Sequence, residues 1–120
     1  MIEDYDFSCF GFEDPAFDYV AEAIMRFMEQ AGYQRDYGRR VVRDLEDAGL
    51  IDVRGDGRAR LIDSTSPGFD FFRLSFESLR SGSVDAGLLS SEEADAASAR
   101  FSESVRVFTP MMVAGIGRRA

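Results

Sequence analysis

Residues 37–62 read YGRRVVRDLEDAGLIDVRGDGRARLI. Tyr37, Val41, Leu45 and Ala48 recur at helical spacing, which predicts a helix over 36–48 with these side chains on its inner face. Gly49 is expected to close it in the left-handed conformation, with Leu50 folding back over the last turn. Ile51 and Val53, then Ala59, Leu61 and Ile62, read as strand on either side of a polar Gly55-Asp56-Gly57 turn.

A helix bearing Arg39, Arg40 and Arg43, followed by a ribbon bearing Arg58 and Arg60, has the outline of a winged-helix DNA-binding regulator with recognition helix 36–48 and wing 51–62. The connection of about three residues after Gly32 also suits a helix-turn-helix. The acids argue against it. Residues 35–60 hold seven arginines but also Asp36, Asp44, Glu46, Asp47, Asp52 and Asp56. Asp44, Glu46 and Asp47 share the solvent side with Arg40 and Arg43, and each acid near a groove-reading cation cancels a phosphate contact. The spacings suit ion pairs along a surface helix instead. Nucleic acid is therefore an unfavoured partner.

The whole chain points the same way. It has 120 residues, 22 acids against 14 cations (all Arg) and a net charge of −8, a sign that opposes phosphate backbones and anionic membranes. An apolar fraction of 45% with eleven Phe describes one folded domain. There is no His, so the commonest general base and metal ligand is missing. Cys9 is the only cysteine, and it can neither close an internal disulfide nor anchor a thiolate zinc site. With an acidic opening and no apolar run of about 20 residues, the expected compartment is the cytoplasm, with no membrane partner.

Around the central stretch, Ile2 begins a short strand. Asp14-Pro15 marks a helix start. Phe17, Val20, Ala21, Ile24, Phe27, Met28 and Ala31 give that helix one apolar face, and Gly32 caps it. Ser66-Pro67 opens another helix, with Phe69, Phe72, Phe76 and Leu79 on one face. Gly82 to Gly87 reads as a break. Ser90 and Glu93 stand at capping-box spacing before a helix reaching about Ser102. VRVFTPMMVAGIG, from Val105 to Gly117, is a final strand in which Pro110 needs a bulge or a place in the first half. The order predicts an α/β layer arrangement.

Three stretches, in order, resemble one family. EDYDF, residues 3–7, resembles the end of the fifth strand of class I S-adenosylmethionine-dependent methyltransferases, where V-E-D-x-D-F is common. DYGRRVVRDLEDAGLIDVRGDGRARL, residues 36–61, resembles that family's next helix and sixth strand, with its "L-L-x-x-A-G-L-x-D-V". FTPMMVAGIGRRA, residues 108–120, resembles the last, antiparallel strand and its "P-x-x-V-A-A-W-G-R-R-P". The resemblance implies a partial Rossmann-like half-domain: a short mixed sheet, the final strand antiparallel between the other two, and about four helices. Its expected segments within a single domain of 1–120 are a fifth-strand remnant and loop over 1–12, helices and sixth strand over 15–62, a helical insertion over 66–103 and the final strand over 105–117.

In that family a Gly-rich loop after the first strand and an acid ending the second hold the cofactor. Neither is found here, so no cofactor is expected on this chain alone, although the family uses S-adenosylmethionine. What the resemblance leaves is the acceptor side. Its candidate substrate-lining residues are Asp4, Asp6, Phe7, Phe10 and Phe12 from the opening and Phe69 and Phe72 from the insertion, around a small-molecule acceptor. Phe71 points off the face those last two share. Core packing of the phenylalanines and a solvated strand end for the acids are the structural alternatives. A fifth strand without its neighbour leaves an open edge over residues 1–8. The expected partner is a second copy or a complementary chain at that edge, which also admits a purely non-catalytic assembly module.

Overall fold

The structure, a computed structural model, describes residues 1–103 and 105–120. Its strands are β1 (Ile2–Asp6), β2 (Gly11–Phe12), β3 (Ile51–Arg58), β4 (Leu61–Asp63), β5 (Arg106–Phe108) and β6 (Met111–Arg118). Its helices are α1 (Asp18–Gln30), α2 (Val41–Asp47), α3 (Phe69–Asp85) and α4 (Ser91–Phe101), with 3-10 turns at Pro15–Phe17 and Tyr37–Arg40. The class is mixed α/β. Contacts group the chain into two compact units that cut across the four expected segments: Met1–Phe10, Gln34–Arg60 and Thr109–Ala120 form the first, Gly11–Tyr33 and Leu61–Phe108 the second.

The first unit is a three-stranded sheet in the order β1-β6-β3. The final strand lies between the two earlier ones, in the order the resemblance implies. Asp4 pairs with Val113 on one side of β6 and Gly57 with the same residue on the other. Both pairings are antiparallel, so β1 and β3 run in one direction with β6 inverted between them. The expectation of a mixed sheet is corrected: each pairing among the described residues, here and in the second unit, is antiparallel.

Glycine positions let α2 lie close on this sheet. A Cβ on Gly115 would stand 2.5 Å from Val41 Cγ1, and one on Gly55 would stand 2.6 Å from Val42 Cγ2. Val41 is fully buried and Leu45 nearly so. The helix ends as its sequence predicts. Gly49 has φ +88 and the Leu50 amide donates to the Leu45 carbonyl at 3.2 Å. Its start differs, because residues 37–40 form a 3-10 turn before α2.

The Gly55-Asp56-Gly57 turn is overturned. β3 runs through it, with Gly55, Asp56 and Gly57 paired to Gly115, Ala114 and Val113. β4 belongs to the other unit's sheet, so residues 51–62 form no wing hairpin. A polar, glycine-rich triplet stays extended here because β6 supplies its backbone partners and Val42 fills the space above Gly55.

The second unit packs α1, α3 and α4 together and carries the small sheet β2-β5-β4, which the sequence reading does not contain. Asp14 caps as expected, accepting from the Ala16 amide at 3.0 Å, and Gly32 has φ +96. Ser90 and Glu93 make a reciprocal capping box at the start of α4. The break expected from Gly82 is corrected, since α3 continues to Asp85. The Phe27 ring rests where a side chain at 82 would be, 2.5 Å from an added Cβ, so glycine here lets α1 and α3 approach. The single final strand over 105–117 is instead β5 and β6, interrupted around Pro110, which has no N–H to continue a ladder. Among the described residues, no helix is long and apolar enough to cross a membrane.

Candidate functional site

In the first unit, β1 delivers Asp4 and Asp6 to its C-terminal end, and a tight turn follows. The Phe10 amide donates to the Phe7 carbonyl at 3.1 Å and the Phe7 amide to the Arg35 carbonyl at 2.8 Å. The Phe7 ring lies 5.4 Å from Tyr5 and 5.5 Å edge-on from Phe10. Asp4 accepts from the Tyr5 amide at 2.7 Å.

Asp6 is heavily engaged. Its side chain is only 13% exposed and accepts from Arg39 Nε at 2.9 Å. Its other oxygen takes the Ser8 amide at 2.8 Å and the Ser8 hydroxyl, and Arg39 also donates to that hydroxyl. Burial pushes the Asp6 carboxyl up, but the hydrogen bonds from Arg39 and Ser8 outweigh it and hold the group below the usual carboxylate range. The Asp6 hydrogen bond in turn raises Arg39. A carboxylate held ionised by a guanidinium is a poor general base, so this cluster positions the turn after β1 rather than moving protons.

In the second unit, Phe12 and Phe69 are core. They are 8% and 3% exposed, and both rings pack on Phe101, at 5.3 and 6.0 Å. Phe72 is half-buried and meets Phe71 edge-on at 5.2 Å. Within the first unit Asp4 and Asp6 stand on β1 and Phe7 and Phe10 in the turn after it, and within the second unit Phe12 and Phe69 share one aromatic cluster around Phe101.

A cleft of about 270 Å³ that the sequence reading does not anticipate is lined by Glu13, Asp14, Pro15, Arg100, Val105 and Arg106. Arg106 donates to both carboxylate oxygens of Glu13, which raises Arg106. Arg100 pairs with Glu103 at 3.0 Å and Asp14 at 3.6 Å, and its guanidinium sits 5.6 Å over the Phe17 ring. Its buried Nε has no hydrogen-bond partner among the described residues. Glu13 and Arg106 are 93 positions apart and meet because β2 pairs with β5. No local pattern announces that. Each guanidinium already faces a carboxylate, so the cleft offers paired charge rather than a free cation for an anion.

The glycines at 55, 57, 115 and 117 do not form a cradle for S-adenosylmethionine. Gly55 and Gly57 are mid-strand, while Gly115 and Gly117 serve the packing of Val41, Leu45 and Leu50. None opens a helix N-terminus toward a ligand. Among the described residues, no three Cys, Asp or Glu side chains converge as a metal would require. Compared with known proteins, the chain matches no family model and no curated sequence.

Proposed function

We propose that this chain is the acceptor-side portion of a class I S-adenosylmethionine-dependent methyltransferase, without methyl-transfer activity by itself. It would act together with a segment that supplies the cofactor cradle, in the same protein or in another chain. One observation carries the reading: the last strand, β6, is inverted between β1 and β3, which run in a common direction. Together with the quoted stretches 3–7, 36–61 and 108–120, that order suits the rear of such a sheet. The turn after β1, with Asp4, Phe7 and Phe10, is the part proposed to face the small-molecule acceptor. In-line methyl transfer relies mainly on proximity and orientation, so a chain without His can contribute by shaping that side. A lone thiol at Cys9 suits the cytoplasm as its setting.

Calorimetry tests this directly. Titrating S-adenosylmethionine into the chain alone should give no saturable heat, and micromolar affinity would overturn the reading.

A second reading, a non-catalytic assembly module, is favoured by the free side of β1. Among the described residues, β1 pairs only with β6, and Ile2 is 42% exposed. An unpaired strand edge is a template for another chain. The edge would then pair with a second copy rather than with a cofactor-binding partner.

A further inference from the structure

The helix α3 carries a second apolar stripe that the core of its unit does not use. Phe69 and Phe76 are buried inward, whereas Phe71 and Leu74 are 56% and 53% exposed. With Ser75, Ser78 and Leu79 they line an open, mostly apolar groove of about 370 Å³. Positions 71, 74, 75 and 78 are the i, i+3, i+4, i+7 set of one helix face. One such stripe folds an amphipathic helix onto its neighbours. The second needs another explanation, because large exposed side chains standing together mark interaction surfaces. The two serines leave a depression beside the two large side chains, so the face offers both protrusions and a hollow.

The charge around the groove says what fits it. Asp70 and Glu77, two turns apart, border it on one side, and Asp85 lies three turns beyond Leu74 on the same line. The arginines of α3 sit further round: Arg73 pairs with Asp70, and Arg80 with Glu77 and with Asp95 of α4. The unit as a whole holds thirteen acids against five arginines, a balance of −8 that accounts for the entire net charge of the chain. Like charges set face to face oppose docking. A second copy would place one row of acids against another, and an anionic bilayer would be repelled.

We propose that this groove receives a cationic amphipathic α-helix from another protein. The partner's apolar stripe would lie over Phe71 and Leu74, and its Arg or Lys side chains would face Asp85 and the exposed side of Asp70, with Glu77, held by Arg80 and Ser98, adding to the acidic border.

The test titrates the full chain, followed by two-dimensional NMR, with a synthetic helical peptide of about eighteen residues, long enough to span α3. The peptide has Leu at i, i+3, i+4 and i+7, flanked by Arg. Two controls are a scrambled peptide of the same composition and a peptide with Glu in place of Arg. Saturable binding is expected, with shifts centred on Phe71, Leu74 and Ser78. Phe71→Ser with Leu74→Ser should weaken it at least tenfold while leaving the circular dichroism unchanged. Asp70→Asn, Glu77→Gln and Asp85→Asn together should flatten its salt dependence. Equal binding of either control peptide, or shifts centred elsewhere, would overturn the proposal. So would a wild-type dimer that Phe71→Ser dissolves, since that would make a second copy the occupant.

Discussion

Gly38 lies directly against Asp6: a Cβ on Gly38 would stand 2.7 Å from the Asp6 amide nitrogen, and equally close to the Tyr5 carbonyl carbon. The neighbours are backbone, which cannot rotate away. Gly38→Ala must push the 3-10 turn off β1 and is expected to cost about 3 kcal/mol, the upper part of the overpacking range. Chemical denaturation measures this. A loss below ~0.5 kcal/mol would mean that the turn does not press on the strand.

Gly82 in α3 makes a softer contact, because what faces it is the Phe27 ring. Gly82→Ala gains up to ~1 kcal/mol of helix propensity but must displace that ring. A net loss of about 1 kcal/mol is expected. With Phe27→Leu in the background the same substitution should become stabilising, so a double-mutant cycle reads the contact directly. Additive effects would rule the contact out.

The Asp6–Arg39 pair predicts an acid dependence. A carboxyl whose folded pKa lies below its unfolded value, about 3.9, adds stability above that value. It loses the contribution as pH falls through the folded pKa. The gap in melting temperature between wild type and Asp6→Asn should thus be widest near neutrality and close below about pH 4. Arg39 is 56% exposed, so Arg39→Gln should lower the melting temperature only slightly at pH 7. A pH-independent gap would place the role of Asp6 elsewhere.

The free edge of β1 predicts association. Sedimentation at tens of micromolar should find a dimer or larger species, and Ile2→Lys, which puts a charge on the edge strand, should return it to monomer with unchanged circular dichroism. A wild-type monomer under these conditions would remove the edge from consideration.

Features set by a few neighbouring residues were legible in the sequence: the Asp14-Pro15 start, the left-handed Gly32 and Gly49, and the Ser90–Glu93 box. Each is a local hydrogen-bonding or φ requirement. The place of the last strand came from resemblance rather than periodicity. What stayed hidden depends on partners distant in sequence. Gly55-Asp56-Gly57 looks like a turn until β6 is beside it, and Gly82 looks like a break until Phe27 is known to need the space. The strands of the second sheet are two or three residues long, too short for alternation to register. Of the candidate site residues, the cluster after β1 was legible as a group because it is contiguous. The pairings of Glu13 with Arg106 and of Asp14 with Arg100 were not, because tertiary folding alone brings them together.

The bare positions 55, 115 and 117 and the branched side chains above them at 41, 42, 45 and 50 form a lock whose two halves cannot change independently. Among homologous chains, enlargement at any of the three floor positions should coincide with trimming in the helix or loop overhead. Such paired substitutions would trace descent even where the rest of the sequence has drifted beyond detection.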